Sequence, residues 1–196
     1  AAALLEKPEQ PESKRQELLR MVREESRRVS NLVQDFLQFS RNRPPAFAVI
    51  DPTQPLQRAL AARLAGDPPV QVATDFAHGD ALIESDASLL EQAWSNLVTN
   101  AIEAMGTAGG TLYLSSRRED AQVGVFIEDT GPGIDAQVMP RLFEPFFTTK
   151  PQGTGLGLSI AHTLVAANGG TLSALPRGRR GARFAMHFPV HESVAP

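Results

Sequence analysis

The chain has 196 residues, a formal net charge of −3, a pI near 5.8 and no cysteine. The charge gives no global basic field for nucleic acid or anionic lipid, and the missing thiols exclude disulfide frameworks, Cys-bound zinc and a thiolate nucleophile. Leu, Ile, Val and Phe supply 50 of the 196 residues, enough for one sizeable core. No apolar run approaches the ~20 residues that span a bilayer. Starting at Ala1 without an initiating Met, the chain reads as a cytoplasmic piece of something longer, with any membrane anchor upstream.

Glycine divides the sequence: none precedes Gly66, and 13 of the 15 lie between Gly106 and Gly181. Between Glu12 and Arg43 there is neither Pro nor Gly, and Leu18, Val22, Glu25, Val29, Leu32, Phe36 and Phe39 recur at spacings of four and three. This predicts a long helix with a heptad seam, interrupted once by Glu25. Ala1 to Glu6 reads as the last turn of a preceding helix, and Pro8 to Pro11 as the connection of an antiparallel pair. Two helices cannot bury both faces, which points to a homodimeric four-helix bundle; the alternative is a helix lying on its own globular domain. Pro44-Pro45 stops the helix and separates residues 1–43 from residues 44–196.

Beyond this boundary the pattern predicts a strand at Phe47 to Ile50, then a helix from Asp51-Pro52 to about Ala65. Short strands at Val70 to Phe76 and Ala81 to Ile83 follow. Asp86 to Met105 is a helix, with Leu90, Ala93, Trp94, Leu97, Ala101 and Ala104 at helical spacing. Thr111 to Ser115 and Val123 to Glu128 alternate as strands around a turn at Arg117 to Ala121. A helix from about Leu156 to Ala167 stops at Asn168-Gly169-Gly170, and a closing strand sets Ala182, Phe184, Met186 and Phe188 on one face. Hairpins mixed with three helices predict an α+β two-layer sandwich, an antiparallel-rich sheet with helices on one face.

Three segments carry chemistry. Asn96 and Asn100, four apart, share one helix face, where their amide oxygens can meet a hard cation such as Mg²⁺ or simply water. Asp129, Gly131 and Gly133 follow an apolar strand. A carboxylate there can accept from an exocyclic amine such as adenine's while the glycines admit a ring, although the same pattern also makes ordinary turns. Gly153, Thr154, Gly155, Leu156 and Gly157 open a helix whose first N–H groups suit a phosphate. Between the last two lies Phe143-Glu-Pro-Phe-Phe147-Thr-Thr-Lys150, bounded by Pro140 and Pro151, which reads as a lid with Lys150 as phosphate partner or as an exposed lysine.

The order and spacing of these segments resemble the ATP-binding domain of bacterial sensor histidine kinases over about residues 45–190. Asn96 to Ala104 matches the family's asparagine box, Asp129 to Gly133 its first glycine box, Phe143 to Phe147 its phenylalanine box and Gly153 to Gly157 its second. The "FFTTK" and "GTGLGL" segments look most like the nitrogen-regulation type. The resemblance implies the α/β sandwich shared with gyrase, Hsp90 and MutL. It also implies ATP and Mg²⁺ as ligands, with Asn100 on the metal, Asp129 on the adenine amine and the Gly153 to Gly157 loop on the phosphates. Homodimerisation through the helical hairpin and a response-regulator receiver domain as partner are further implications.

Departures from the family pattern also count. The family's acceptor histidine precedes an acidic residue on the first helix of the hairpin, and His78, His162, His187 and His191 all lack that setting. Ala182 stands where many members have Thr, and Glu103 where many have Lys or Arg, so Glu103 is given no phosphate role. Two other functions compete: an ATP hydrolase of the gyrase, Hsp90 or MutL kind, and an inactive dimerisation module. The first resembles a site with Glu four residues before the magnesium Asn; that position is Asn96, which cannot accept a proton.

Overall fold

The computed structural model describes residues 12–40, 45–65, 69–150, 153–176 and 180–192. The expected helical turn at Ala1 to Glu6 and the Pro8 to Pro11 connection lie outside them. Helix α1 (Glu12–Ser40) has Leu18 buried, while Met21, Val29 and Val33 are exposed. Among the described residues no helix is long and apolar enough to cross a membrane.

After α1 come β1 (Ala48–Ile50), α2 (Thr53–Leu64), β2 (Val70–Ala77), β3 (Ile83–Ser85) and α3 (Ala87–Met105). The chain continues through β4 (Gly110–Glu119), β5 (Gln122–Asp129), α4 (Gly157–Ala167), β6 (Thr171–Pro176) and β7 (Ala182–Pro189). Strands β1 and β3 form a small antiparallel pair, and the other five make a sheet in the order β2-β4-β5-β7-β6. Among the described strands, β2 and β4 run parallel and the remaining pairings are antiparallel.

Helix α3 is the centre of the helical layer, packed against both α2 and α4. Its Leu90, Trp94, Leu97 and Ala101 meet Leu112 and Leu114 of β4, Val125 and Ile127 of β5, and Phe184, Met186 and Phe188 of β7. Trp94 stands edge-on to Phe188 with ring centroids 6.0 Å apart. Fully buried side chains of this size each contribute about 1.5–3 kcal/mol by leaving water. Helical spacing on α3 and strict alternation on β7 thus bring two apolar stripes together, as the sequence pattern predicts.

The start of α3 is set by Asp86. Its Oδ1 accepts from Ser88 N at 2.9 Å, Leu89 N at 3.2 Å and Ser88 Oγ at 2.6 Å, and its Oδ2 from Ala46 N at 2.8 Å. Burial pushes this carboxyl up, but the combined hydrogen bonds from Ser88, Ala46 and Leu89 outweigh it and hold the group well below the usual carboxylate range. His78 is buried too, with Nδ1 2.6 Å from Ser116 Oγ and Nε2 3.3 Å from Asp51 Oδ1, so it ties the start of α2 to β4.

Three local expectations shift. The strand expected at Ala81 to Ile83 forms at Ile83–Ser85, because pairing with β1 (Ile50 opposite Ile83, Ala48 opposite Ser85) sets its extent. The β4–β5 hairpin is longer than expected and turns tightly through Asp120, whose φ is 53°. Strand β6 was not expected at all. It is an edge strand paired only with β7, it ends in Pro176, and its alternation is too short to read without that partner.

Candidate functional site

One face of α3, the end of β5, residues 132–150 and 153–155 and the start of α4 line an open cleft of about 1490 Å³, together with Ala59, Ala62 and Arg63 of α2. On the α3 wall, Asn96, Asn100 and Glu103 follow one another at spacings of four and three and so face the cleft together. Asn100 Oδ1 accepts from Lys150 Nζ at 2.8 Å, and the same ammonium lies 2.8 Å from Glu103 Oε2. Asn96 Nδ2 is buried and has no hydrogen-bond partner among the described residues. An orphan donor of this kind costs about 1–3 kcal/mol until an acceptor reaches it.

Asp129 forms the floor. It is 2% exposed, and its Oδ1 accepts from Gly131 N at 2.8 Å and Ala182 N at 3.3 Å, which fixes the orientation of the carboxylate. A Cβ on Gly131 would meet Asp129 Oδ1 at 2.9 Å and the Ala104 carbonyl oxygen at 3.2 Å, so only glycine permits the chain to fold back over its own aspartate. A buried carboxylate fixed in this way suits an amine-bearing ring.

Another part of the lining suits an anion. Leu156 precedes α4 without any side-chain cap, so the positive end of that helix presents its first N–H groups beside Gly153, Gly155 and Gly157. Space is open where a Cβ on Gly157 would lie. Gly155 has φ +72°, and a Cβ there would sit 2.4 Å from the Phe146 carbonyl carbon. Phe146 N donates to Gly155 O at 3.0 Å, so the aromatic segment is stapled to the glycine loop by backbone alone.

That aromatic segment does not act as a block. Phe143 stacks against His162 of α4, Phe147 lines the cleft under the Arg141 guanidinium, 4.3 Å from the ring centroid, and Phe146 is 68% exposed with φ 66°. A short 3₁₀ turn, Met139–Arg141, and the Arg141–Glu144 ion pair at 2.9 Å give the segment local order.

Of the residues singled out by sequence, Asn96, Asn100, Asp129, Gly133, Lys150, Gly153, Thr154, Gly155 and Gly157 converge on the cleft. Gly131 and Leu156 are buried just behind its wall. None of the four histidines lines it. The sequence reading missed Arg63, Phe147 as a wall residue, the Ala182 N–H on Asp129, and the pairing of Glu103 with Lys150. The face of Glu103 was readable from its i+3 spacing to Asn100; its partner, 47 residues away, was not.

A family model described as "Histidine kinase-, DNA gyrase B-, and HSP90-like ATPase" matches residues 85–192. The C4-dicarboxylate transport sensor protein DctS of Rhodobacter capsulatus is 33% identical over 88% of this chain, which covers 27% of that relative. Three such curated relatives are spanned over only 27–38% of their own lengths. A solved structure of full-length ShkA in complex with AMPPNP has a TM-score of 0.73 at 28% identity, over 93% of this chain and 40% of that one. Histidine kinase ThkA in complex with the response regulator protein TrrA gives 0.72 at 25% identity, over 95% of this chain and 53% of that one. With the family model covering more than half of its length and the same sandwich beneath it, the chain belongs to the histidine kinase, gyrase B and HSP90-like ATPases.

Proposed function

We propose that this chain is the ATP-binding catalytic part of a sensor histidine kinase. It transfers the γ-phosphoryl of Mg-ATP to a histidine outside these residues, for relay to an aspartate of a response regulator. The observation that carries the reading is the buried Asp129 and the uncapped α4 terminus lining one and the same cleft. The two groups suit the amine and the phosphates of one nucleotide.

The residues fit both ligands. Asp129, oriented by Gly131 and Ala182, accepts from the adenine amine, and the N–H groups at Gly153 to Gly157 receive phosphate oxygens. Asn100 Oδ1, which already contacts a cation in Lys150, would hold Mg²⁺, and the orphan Asn96 Nδ2 has an acceptor to gain. When bound, Mg²⁺ neutralises charge on the phosphate oxygens. The protein's own part is positioning and electrostatics, and the attacking imidazole arrives from another helix. Asn96 supplies no base for water, which disfavours the hydrolase alternative. Exposed Val29 and Val33 on α1 support a homodimer through the helical hairpin.

Calorimetric titration with AMP-PNP and Mg²⁺, beside an Asp129→Ala variant, tests the proposal. Binding by the parent and its loss in the variant are expected. No binding by the folded parent up to about a millimolar, roughly −4 kcal/mol, overturns it in favour of an inactive dimerisation module.

A further inference from the structure

The sequence contains three lysines. Lys7 and Lys14 lie within residues 1–43, and Lys150 is the one lysine of residues 44–196, which otherwise carry their positive charge on arginine. This single ammonium ends the aromatic segment and reaches back across the cleft to α3. There it meets two different oxygens at 2.8 Å each: the Asn100 amide Oδ1 and the Glu103 carboxylate Oε2. The two acceptors are three residues apart on one helix face, so a single cation can bridge them.

The choice of lysine has chemical content. An ammonium is a compact, strongly hydrated point charge on a flexible stem, whereas a guanidinium would grip Glu103 through a planar fork. The Lys150 and Glu103 side chains are 38% and 56% exposed, so their ion pair is weak and exchanges readily. Amide and carboxylate oxygens are also the donors that hard divalent cations prefer. A bare Glu103 carboxylate in this corner would repel phosphates, so a cation beside it favours nucleotide.

We propose that Glu103 is a positioning residue that stations Lys150 on Asn100 Oδ1 before nucleotide binds. Lys150 then gives up that oxygen to the divalent cation accompanying the nucleotide and turns to the phosphates. The exchange rests on the nucleotide-site reading above; the stationing does not. It assigns Glu103, which stands where many relatives have a basic residue, the task of holding the basic group that the lid supplies.

Competitive acylation with trace acetic anhydride, read by mass spectrometry, gives the reactivity of Lys150 relative to exposed Lys14 in the same molecule. In nucleotide-free protein Lys150 reacts more slowly than Lys14. Glu103→Gln raises the ratio about two- to fivefold, the range that an exposed ion pair supports, and Glu103→Asp restores part of the protection. With saturating Mg²⁺ and AMP-PNP, the wild type and Glu103→Gln give the same ratio. An unchanged ratio in nucleotide-free Glu103→Gln overturns the stationing, and a difference that persists at saturation overturns the exchange. Calorimetry on the same samples separates the two readings. If the wild type does not bind AMP-PNP, the nucleotide reading and the exchange both fall, while the nucleotide-free ratio still judges the stationing.

Discussion

The backbone N–H of Asp86 donates to the side-chain oxygen of Asn168 at 2.7 Å, joining the start of α3 to the end of α4. Asn168 also donates from Nδ2 to Leu164 O at 2.8 Å, so one buried amide closes α4 and anchors α3. Because Asp86 Oδ2 holds Ala46 N just beyond the α1 boundary, this junction also connects the linker to the two helices that wall the cleft. Asp86→Ala removes the cap and leaves buried N–H groups without acceptors. We expect a loss of about 2–3 kcal/mol, measured by urea unfolding.

The same residue makes stability depend on pH. Its folded carboxyl titrates below its unfolded value, so its contribution is complete above the ordinary carboxylate pKa of about 3.9 and is lost as pH falls below it toward the folded value. The unfolding free energy of the wild type should therefore drop more steeply between about pH 4 and pH 2 than that of Asp86→Asn. Parallel pH profiles for the two proteins would count against this assignment.

Asp129→Asn keeps the size of the side chain and removes its charge. A charged acceptor to an amine is worth about 1.5–3 kcal/mol, so AMP-PNP affinity should fall roughly 10- to 150-fold. A concentration of AMP-PNP that saturates the parent should raise the melting temperature of the variant by about half as much or less.

Gly155→Ala puts a methyl 2.4 Å from the Phe146 carbonyl carbon at a φ of +72°. The loop must move or carry about 1–3 kcal/mol of strain. Nucleotide binding should weaken at least about tenfold and the unfolding free energy should fall, whereas Gly157→Ala, with open space at its Cβ, should leave the unfolding free energy nearly unchanged. Equal losses of stability in the two variants would show that the Phe146–Gly155 contact carries no strain.

Val29 and Val33 of α1 are 53% and 52% exposed. Val29→Asp with Val33→Asp should convert a dimer to a monomer in sedimentation equilibrium and leave AMP-PNP affinity intact. A parent that is already monomeric at tens of micromolar speaks against pairing through this helix.

The readable parts of this molecule were those in which chemistry is local. Asp86 announces a helix start by its own side chain, the apolar spacing of Leu90 to Ala101 sets one face of α3, and the alternation from Ala182 to Phe188 sets one face of β7. Glycine at 131, 133, 153 and 155 marks close approach of neighbouring atoms. What sequence could not supply were relations fixed by distant partners. Strand β6 exists because β7 is beside it, the parallel pairing of β2 with β4 spans α3, and Lys150 finds Glu103 only when the aromatic segment folds over the cleft.

Strand β7 is the last described strand in the chain, yet it lies inside the sheet, between β5 and β6. Until Ala182–Pro189 has left the ribosome, β5 lacks a neighbour along one whole side, and Asp129 lacks the N–H of Ala182. A nascent chain ending at Gly181 therefore has the asparagines, the lid and the glycine loop but an unfinished floor. In such a chain the Asp129 carboxylate keeps its bond from Gly131 N and lacks the one from Ala182 N.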